Sequence, residues 1–331
     1  MKKIFSVFLI LTSLVFISFA ENEISLSNKK IKGNIPFKVV KKENVKVPIV
    51  VVDATVVNKK GDIVTGLKKG NFKLLEDGKL QKLNSVLLDR SPLNVILMCE
   101  ATPIFYFIKD DLFEAGERLI EQLEDKDYCA IVSYSNKVRL DQDFTRNKKK
   151  LKTALRGIYF NQSYTCSISK ALKWVIDRAK GLKGRTVIII IGTGWNSLNN
   201  PPFSKVLNEI KGINIPIFTI SIGREWRRSV EYFWGLNTYI KFKSSDFRML
   251  RIAKFSGGMN FYPEYESEFM DIMYNVLNYA RYRYVLTYYP KNRNFHGEFR
   301  KLKIEAFYVD KKGKKIDLKV YHRDGYVAYK Y

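Results

Sequence analysis

The chain has 331 residues and a formal net charge of +25 at pH 7, from 58 lysines and arginines against 33 acids. That length is enough for two modest domains or one large one, and the charge attracts polyanions at long range without specifying a fold. None of the three cysteines has a spacing typical of a zinc site, so we predict no zinc site. Cys99 and Cys129 lie inside apolar runs, and we interpret them as small buried hydrophobic residues.

The first twenty residues, MKKIFSVFLILTSLVFISFA, combine two lysines, an uninterrupted apolar stretch and a small-residue end. This pattern predicts a secretory signal peptide over residues 1–20. The alternative is a single transmembrane anchor, for which the run is marginal because a bilayer span takes about 20 residues. We therefore expect an exported protein, periplasmic, on the cell surface or extracellular, with no transmembrane span after cleavage of the signal peptide.

Export determines which polyanions the positive charge would meet. Envelope glycans, lipid headgroups and acidic proteins are accessible to an exported chain, whereas nucleic acid is not an expected partner. The alternative is that the lysines, which are spread over the whole chain, reflect a compositional bias without functional meaning.

After the signal peptide, residues 21–45 are polar and lysine-rich without periodicity, which predicts a flexible leader. Residues 46–91 form a predicted N-terminal β segment, in which β-branched and alternating runs such as VPIVVVDATVV are separated by turns at Asn58–Asp62 and Glu76–Gly78. Strands return over residues 283–331, in RYVLTYYP, RKLKIEAFYVD and KKIDLKVYHRDGY. We expect this C-terminal β segment to pair with residues 46–91.

Residues 92–282 alternate between apolar strands and amphipathic helices. The predicted strands LNVILMC, YCAIVSYS, RTVIIIIG and IPIFTISIG are almost wholly apolar, as expected of a parallel sheet covered by helices on both faces. The predicted fold class is therefore α/β, with a doubly wound, mostly parallel sheet inserted in a β-rich domain that is made from both ends of the chain.

Several sequence segments resemble those of a known family. They are VVDATVVNKKGDIVTGLKKGNFKLLEDGKLQKL before the α/β region, and FSGGMNF, RYVLTYYP, GEFRKLKI and HRDGY after it. The order of segments resembles that of secreted bacterial proteins in which a von Willebrand factor type A domain has β-rich flanks. The resemblance implies an interaction or adhesion module with a Rossmann-like sheet. It also implies a divalent cation at a metal-ion-dependent adhesion site on the C-terminal rim of that sheet.

The positions of that adhesion site are altered in this sequence. Glu100 and Thr102 stand where the family has an aspartate and a serine, and Ile104 stands at the second serine. Thr165 matches the family threonine, but Thr193 replaces the second aspartate. Because magnesium prefers octahedral oxygen coordination, one carboxylate with hydroxyls is a weak ligand set. We predict a degenerate metal site and no cofactor, with magnesium binding, assisted by Asp110 or Asp111, as the alternative.

A second set of candidate residues follows the strand IPIFTISIG, at the same predicted rim. Residues 224–246 mix arginines with aromatic side chains, which offer forks for carboxylates and flat apolar faces. We predict partner-binding roles for Arg224, Trp226, Arg227, Arg228 and Trp234. The alternative is a loop that packs its own aromatic rings over the edge of the sheet.

The sequence offers little support for an enzyme. Gly192–Gly194 resembles the start of a dinucleotide loop, but Ser197 occupies the third glycine position. His296 and His322 both lie in the closing β segment, away from any recognisable nucleophile. We therefore predict a non-enzymatic module that binds a protein or an anionic glycan of the envelope surface without metal. The alternative is a structural envelope component with no ligand at the rim.

Overall fold

The computed structural model describes residues 49–329 except 107, 161, 164, 223–235 and 264–265. In chain order its strands are β1 (Val50–Val57), β2 (Phe72–Glu76), β3 (Lys79–Gln81), β4 (Leu83–Asp89), β5 (Leu93–Glu100), β6 (Tyr128–Tyr134), β7 (Val138–Thr145), β8 (Arg185–Gly192), β9 (Ile217–Ser221), β10 (Asn260–Phe261), β11 (Arg283–Tyr288), β12 (His296–Val309), β13 (Lys315–His322) and β14 (Gly325–Tyr329). The α-helices are α1 (Pro103–Tyr106), α2 (Lys109–Glu121), α3 (Lys148–Arg156), α4 (Ile168–Ala179), α5 (Phe203–Gly212), α6 (Leu236–Ser256) and α7 (Glu266–Arg281), and a 3-10 helix covers Lys69–Asn71.

The strands of the α/β region form one six-stranded sheet in the order β10-β9-β8-β5-β6-β7. Every neighbouring pair is parallel except β6 and β7, which are antiparallel. All eight residues of the central strand β5 are buried. Its alternate side chains enter two separate apolar cores, one shared with α2, α3 and α7 and the other with α4, α5 and α6. The predicted doubly wound sheet is thus confirmed.

The other strands form an eight-stranded antiparallel sheet in the order β3-β2-β12-β13-β1-β11-β4, with β14 also paired to β12. Strands from before and after the α/β region are interleaved, since β1 lies between β13 and β11 and β4 pairs with β11. A separate apolar core covers this sheet. The fold class predicted from the sequence, an α/β domain inserted in a β-rich one, is therefore confirmed.

The chain crosses from the antiparallel sheet to the α/β sheet between Asp89 and Leu93, and it returns between Arg281 and Arg283. A buried ion pair lies at this crossing, with Arg281 Nη2 2.6 Å from Asp127 Oδ2. Asp127 also accepts the backbone N–H of Leu93 at 2.8 Å, so one carboxylate holds the start of β5 and the end of α7 together. Removing Asp127 would leave the buried Arg281 with the exposed Glu124, 3.3 Å from its Nε, as its ion-pair partner among the described residues.

Other sequence predictions have mixed outcomes. Cys99 and Cys129 are free and buried as expected, and burial raises the pKa of the Cys129 thiol to about 12. Helix α5 and the short strand β10 were not predicted. Helix α6 begins at Leu236, within the segment 224–246 that contains the predicted partner-binding residues. The predicted signal peptide and leader lie outside the described residues. Within the described ranges, no helix combines the length and apolar character needed to cross a bilayer.

Candidate functional site

The candidate site lies where β5 and β8 end side by side on the C-terminal rim of the α/β sheet. Glu100 is the last residue of β5 and is 1% exposed. The strand continues its pairing one residue further, because the Ala101 N–H donates to the Tyr134 carbonyl at 2.7 Å. Thr193 directly follows Gly192 at the end of β8 and is also buried. The parallel register of the two strands therefore brings these residues together.

The Glu100 carboxylate accepts hydrogen bonds from both neighbouring threonines. Thr102 donates its hydroxyl to Oε1 at 2.9 Å. Thr193 donates its backbone N–H to Oε2 at 2.7 Å, and its hydroxyl lies 2.9 Å from Oε2 and 3.1 Å from Oε1. Hydrogen bonds to the ionised form stabilise a buried carboxylate, so the threonines compensate for its removal from water.

The Thr193 hydroxyl is engaged in both directions. Its proton points to Glu100, and its oxygen accepts the backbone N–H of Trp195 at 3.1 Å. A hydroxyl has one proton and two acceptor lone pairs, so this residue acts as a bridge between the carboxylate and the turn that follows β8.

Gly192 is required by the close packing around this cluster. A Cβ at this position would collide with the Tyr134 hydroxyl and would lie 3.0 Å from Glu100 Oε2. Burial, and then the charge of Glu100, raise the pKa of Tyr134 well above its usual value. The Tyr134 side chain is therefore a neutral phenol beside the Glu100 carboxylate.

The loop that contains Thr165 is fastened to the loop after β8. Ser197 donates its backbone N–H to the Cys166 carbonyl, and the Cys166 N–H donates to Ser197 Oγ, both at 2.9 Å. Ser167 begins α4 as its N-cap, with its oxygen accepting the Lys170 N–H at 3.2 Å. The Thr165 hydroxyl lies 2.7 Å from that of Ser163. Among the four predicted metal-site residues, the described hydrogen bonds thus join Glu100, Thr102 and Thr193, and place Thr165 with Ser163.

Among the predicted metal-site residues, Glu100 is the one carboxylate, and Thr102 and Thr193 add neutral hydroxyl oxygens, which is a weak ligand set for magnesium. Across the described part of the chain, no three His, Cys, Asp or Glu side chains are grouped as metal ligands. The side chain of Ile104 lies outside the described part.

Helix α6 reaches the same rim. Arg248 donates from Nε to the Gly194 carbonyl at 3.0 Å and from Nη2 to Ser245 Oγ at 3.0 Å. Burial lowers the pKa of Arg248. Gly194 has a φ of +75°, and a side chain there would press on the backbone of α6, so only glycine suits this turn.

The sequence reasoning did not single out a group of aromatic residues on the rim. We call Tyr106, Tyr159 and Phe160 the rim aromatic group. Tyr106 and Tyr159 are 54% and 64% exposed, and the rings of Tyr106 and Phe160 lie 6.2 Å apart, nearly perpendicular. Lys109 Nζ lies 4.6 Å from the centroid of the Tyr106 ring. The signal in the sequence was a pair of aromatic runs, one after β5 and one after α3.

The predicted partner-binding residues Arg224, Trp226, Arg227, Arg228 and Trp234 lie outside the described residues. Their role stays a prediction.

Comparison with protein families identifies the α/β region. Residues 112–253 match the model of the von Willebrand factor type A domain. The chain carries a von Willebrand factor type A domain. The predicted resemblance is therefore confirmed at the level of this domain. Type A domains are generally non-enzymatic interaction or adhesion modules. The placement among secreted bacterial proteins and the degenerate adhesion site stay predictions.

Solved structures resemble the chain at low sequence identity. Proximal thread matrix protein 1 from the mussel byssus is 12% identical, with 59% of this chain and 49% of that chain covered and a TM-score of 0.44. The "von Willebrand factor type A from Catenulispora acidiphila" is 9% identical over 85% of this chain and 75% of that chain, with a TM-score of 0.45. An aerotolerance-related membrane protein from Bacteroides fragilis is 13% identical over 57% and 99%, with a TM-score of 0.42.

The chain spans about half the length of the mussel protein. Comparison of the sequence with curated proteins gives no match.

Proposed function

We propose that the chain is a non-enzymatic, exported interaction or adhesion module that binds a protein partner at the C-terminal rim of its type A domain, without a divalent cation. The hydrogen bonding of Glu100 carries this proposal. In a metal-dependent site, the cation links the domain to a carboxylate of the partner. Here Thr102 and Thr193 hydrogen-bond to a buried Glu100, which supports recognition by the side chains around it rather than by a cation.

The rim aromatic group supplies a suitable contact surface. Tyrosine brings a large apolar face and a polar tip at low entropic cost, which is why aromatic residues are enriched at the centres of interfaces. Tyr106 and Tyr159 are exposed, and Lys109 adds a positive charge over one ring. An acidic protein surface suits this combination and the chain's net charge of +25.

The proposal also includes the arginines and tryptophans predicted from the sequence to bind a partner. Arg224, Trp226, Arg227, Arg228 and Trp234 follow β9, whose C-terminal end belongs to the same rim as Glu100. An arginine-rich aromatic segment there would contact the same partner. An acidic glycan is the other ligand class that this composition would accept.

Capture of envelope proteins on the immobilised chain tests the proposal when capture by the wild-type protein is compared with capture by variants. We expect a captured protein to be lost from the double variant Tyr106→Ala, Tyr159→Ala and from the triple variant Trp226→Ala, Arg227→Ala, Arg228→Ala. The control Tyr289→Ala, Tyr308→Ala removes two exposed tyrosines from the antiparallel sheet region and should retain capture.

A chelator distinguishes metal-dependent from metal-independent binding at the rim. We expect capture to be unchanged in EDTA. Capture that disappears in EDTA would contradict metal independence, and capture that is equal in all variants would favour a structural envelope component with no ligand at the rim.

A further inference from the structure

A second concave site lies at the opposite end of β8, where the α/β sheet meets the antiparallel sheet. It is a cavity of about 560 Å³. Its walls include apolar side chains such as Val51, Leu182 and Val285, and its polar groups include Asp53, Arg185, Thr186 and Arg283. Ligand sites of 300–1,000 Å³ commonly combine apolar walls with a few converging polar groups.

Arg283 is the most deeply buried polar group of this cavity. Its side chain is 6% exposed, and Nη1 lies 2.9 Å from Asp53 Oδ2 in an ion pair. The N–H on Nε, by contrast, has no acceptor among the described residues. A buried guanidinium N–H without an acceptor is costly, which makes it a strong donor for an incoming group.

Arg185 also lines the cavity, with most of its guanidinium held by main-chain carbonyls. Its Nη1 donates to the Asp89 carbonyl at 3.0 Å, and Nη2 donates to the Ala280 carbonyl at 2.7 Å. The Nε atom lies 3.4 Å from Asp89 Oδ2 without forming a hydrogen bond to any described residue. Burial, with the nearby charge of Arg283, lowers the pKa of Arg185 to about 10.

Thr186 also lines the cavity, and it lies on the opposite face of β8 from Arg185 because neighbouring residues of a strand alternate. Its hydroxyl is buried and has no hydrogen-bond partner within the described part of the chain. The unsatisfied groups are therefore guanidinium N–H groups and one hydroxyl, which all seek an acceptor. A carboxylate accepts several hydrogen bonds at once and matches arginine in geometry.

The two acids of the cavity restrict the charge of a ligand. Asp53 and Asp89 are already ion-paired with Arg283 and Arg185. With Lys180, Arg185 and Arg283 opposite these two acids, the lining has an excess of one positive charge, which suits a monoanion. The apolar walls in turn favour a ligand with an apolar body.

We propose that this cavity binds a small monocarboxylate with an apolar body, through Thr186 and Arg283. The site is separate from the rim, and the proposal is independent of the function proposed for the rim.

Calorimetric titration of the full chain with N-acetylleucine tests the proposal, with N-acetylleucinamide and inorganic phosphate as comparison ligands. We expect the acid to bind about tenfold or more tightly than its amide, since hydrogen bonds to charged groups are the stronger ones. Equal binding of acid and amide, or binding of phosphate alone, would overturn it.

Variants of the lining test whether the acid binds in this cavity. Thr186→Val keeps the shape of the side chain and removes a hydroxyl with no described partner, so the fold should be retained while the acid binds about tenfold more weakly. Lys180→Glu adds a negative charge to the cavity wall and should weaken binding more than Lys183→Glu, which makes the same charge change outside the lining. Unchanged affinity in Thr186→Val, or equal effects of the two lysine variants, would show that the acid binds elsewhere.

Discussion

Thr193 gives both its backbone N–H and its hydroxyl to the carboxylate of Glu100, at 2.7 and 2.9 Å from Oε2. The two residues are 93 positions apart in the chain and terminate neighbouring parallel strands. Their hydrogen bonds therefore act as a cross-link between strand ends, at the place where a type A domain of the metal-binding kind would hold its cation.

The strength of this cross-link can be measured by Thr193→Val. The substitution removes the hydroxyl that donates to Glu100 and accepts from Trp195, but it keeps the backbone N–H. We expect the free energy of unfolding, measured in urea, to fall by about 1–3 kcal/mol because a buried carboxylate loses a donor. Thr186→Val is the matched control on the same strand and should cost little, since that hydroxyl has no partner among the described residues.

Thr193→Asp tests whether the rim has lost its cation site through this one position. Two carboxylates would then face each other, and we expect a lower melting temperature in EDTA because like charges repel. Manganese or magnesium should restore the melting temperature in a concentration-dependent way, since a ligand of the native state stabilises it. The wild-type protein should show no such rise. A wild-type rise that is absent in Glu100→Ala would contradict the proposed metal independence.

Gly192→Ala tests the packing around the carboxylate. The added Cβ would collide with the Tyr134 hydroxyl. We expect a loss of about 1–3 kcal/mol in the free energy of unfolding, which is typical of overpacking. Gly212→Ala is the control, because a Cβ there meets nothing within 4 Å. If the double variant Gly192→Ala, Tyr134→Phe regains the lost stability, the hydroxyl is the obstacle.

The ion pair between Asp127 and Arg281 should contribute strongly to stability. Both side chains are buried, and Asp127 also accepts the N–H groups of Leu93 and Glu124. We expect Asp127→Ala to cost about 3–5 kcal/mol, since the buried Arg281 would keep only its contact with the exposed Glu124 among the described residues. Glu114→Ala breaks the exposed pair with Arg118 and should cost less than about 1 kcal/mol. Urea denaturation of both variants would compare the two pairs.

His322 should make stability depend on pH below neutrality. Its Nε2 accepts the Ile304 N–H at 3.1 Å, and Nδ1 lies 2.8 Å from the Arg323 carbonyl, so the folded state holds a neutral ring. Burial lowers the pKa of His322 from its usual value of 6.5. The unfolded chain then binds the proton more readily, and stability is lost as the pH falls through about 6.5 towards the folded pKa.

Urea denaturation at pH 7.5 and 5.5 checks this prediction. His322→Gln should lose less stability between these pH values than the wild-type protein does. His296→Gln, at an exposed position, should behave as the wild type. An equal pH dependence in all three proteins would contradict the assignment.

The architecture was predictable because it depends on regular patterns. The apolar runs of β5 and β8 indicated strands buried on both faces, and strand-rich ends around them indicated a second sheet. The meeting of Glu100 and Thr193 also followed, since the ends of adjacent parallel strands share one rim. Helix α5 was missed although its apolar residues Val206, Leu207 and Ile210 are spaced for one buried face after a proline pair.

Other features could not be predicted because they depend on packing between distant segments. Arg281 and Asp127 are 154 positions apart, and nothing in either local sequence selects the partner. Tyr106 and Phe160 approach only after α1 and the loop behind α3 have been placed. The hydrogen bonds from the threonine hydroxyls to Glu100 could not be predicted either, because residue types alone do not show which group a hydroxyl will contact.

The register of β4 with β11 has a consequence for how this protein can be rebuilt. Asp89 and Arg283 are paired neighbours, although the whole type A domain lies between them in sequence. Paired residues on antiparallel strands have Cα atoms only about 5 Å apart, which is a gap that a two-residue hairpin turn closes. The two ends of the type A domain therefore lie close enough together for a short turn to join β4 directly to β11 in its place.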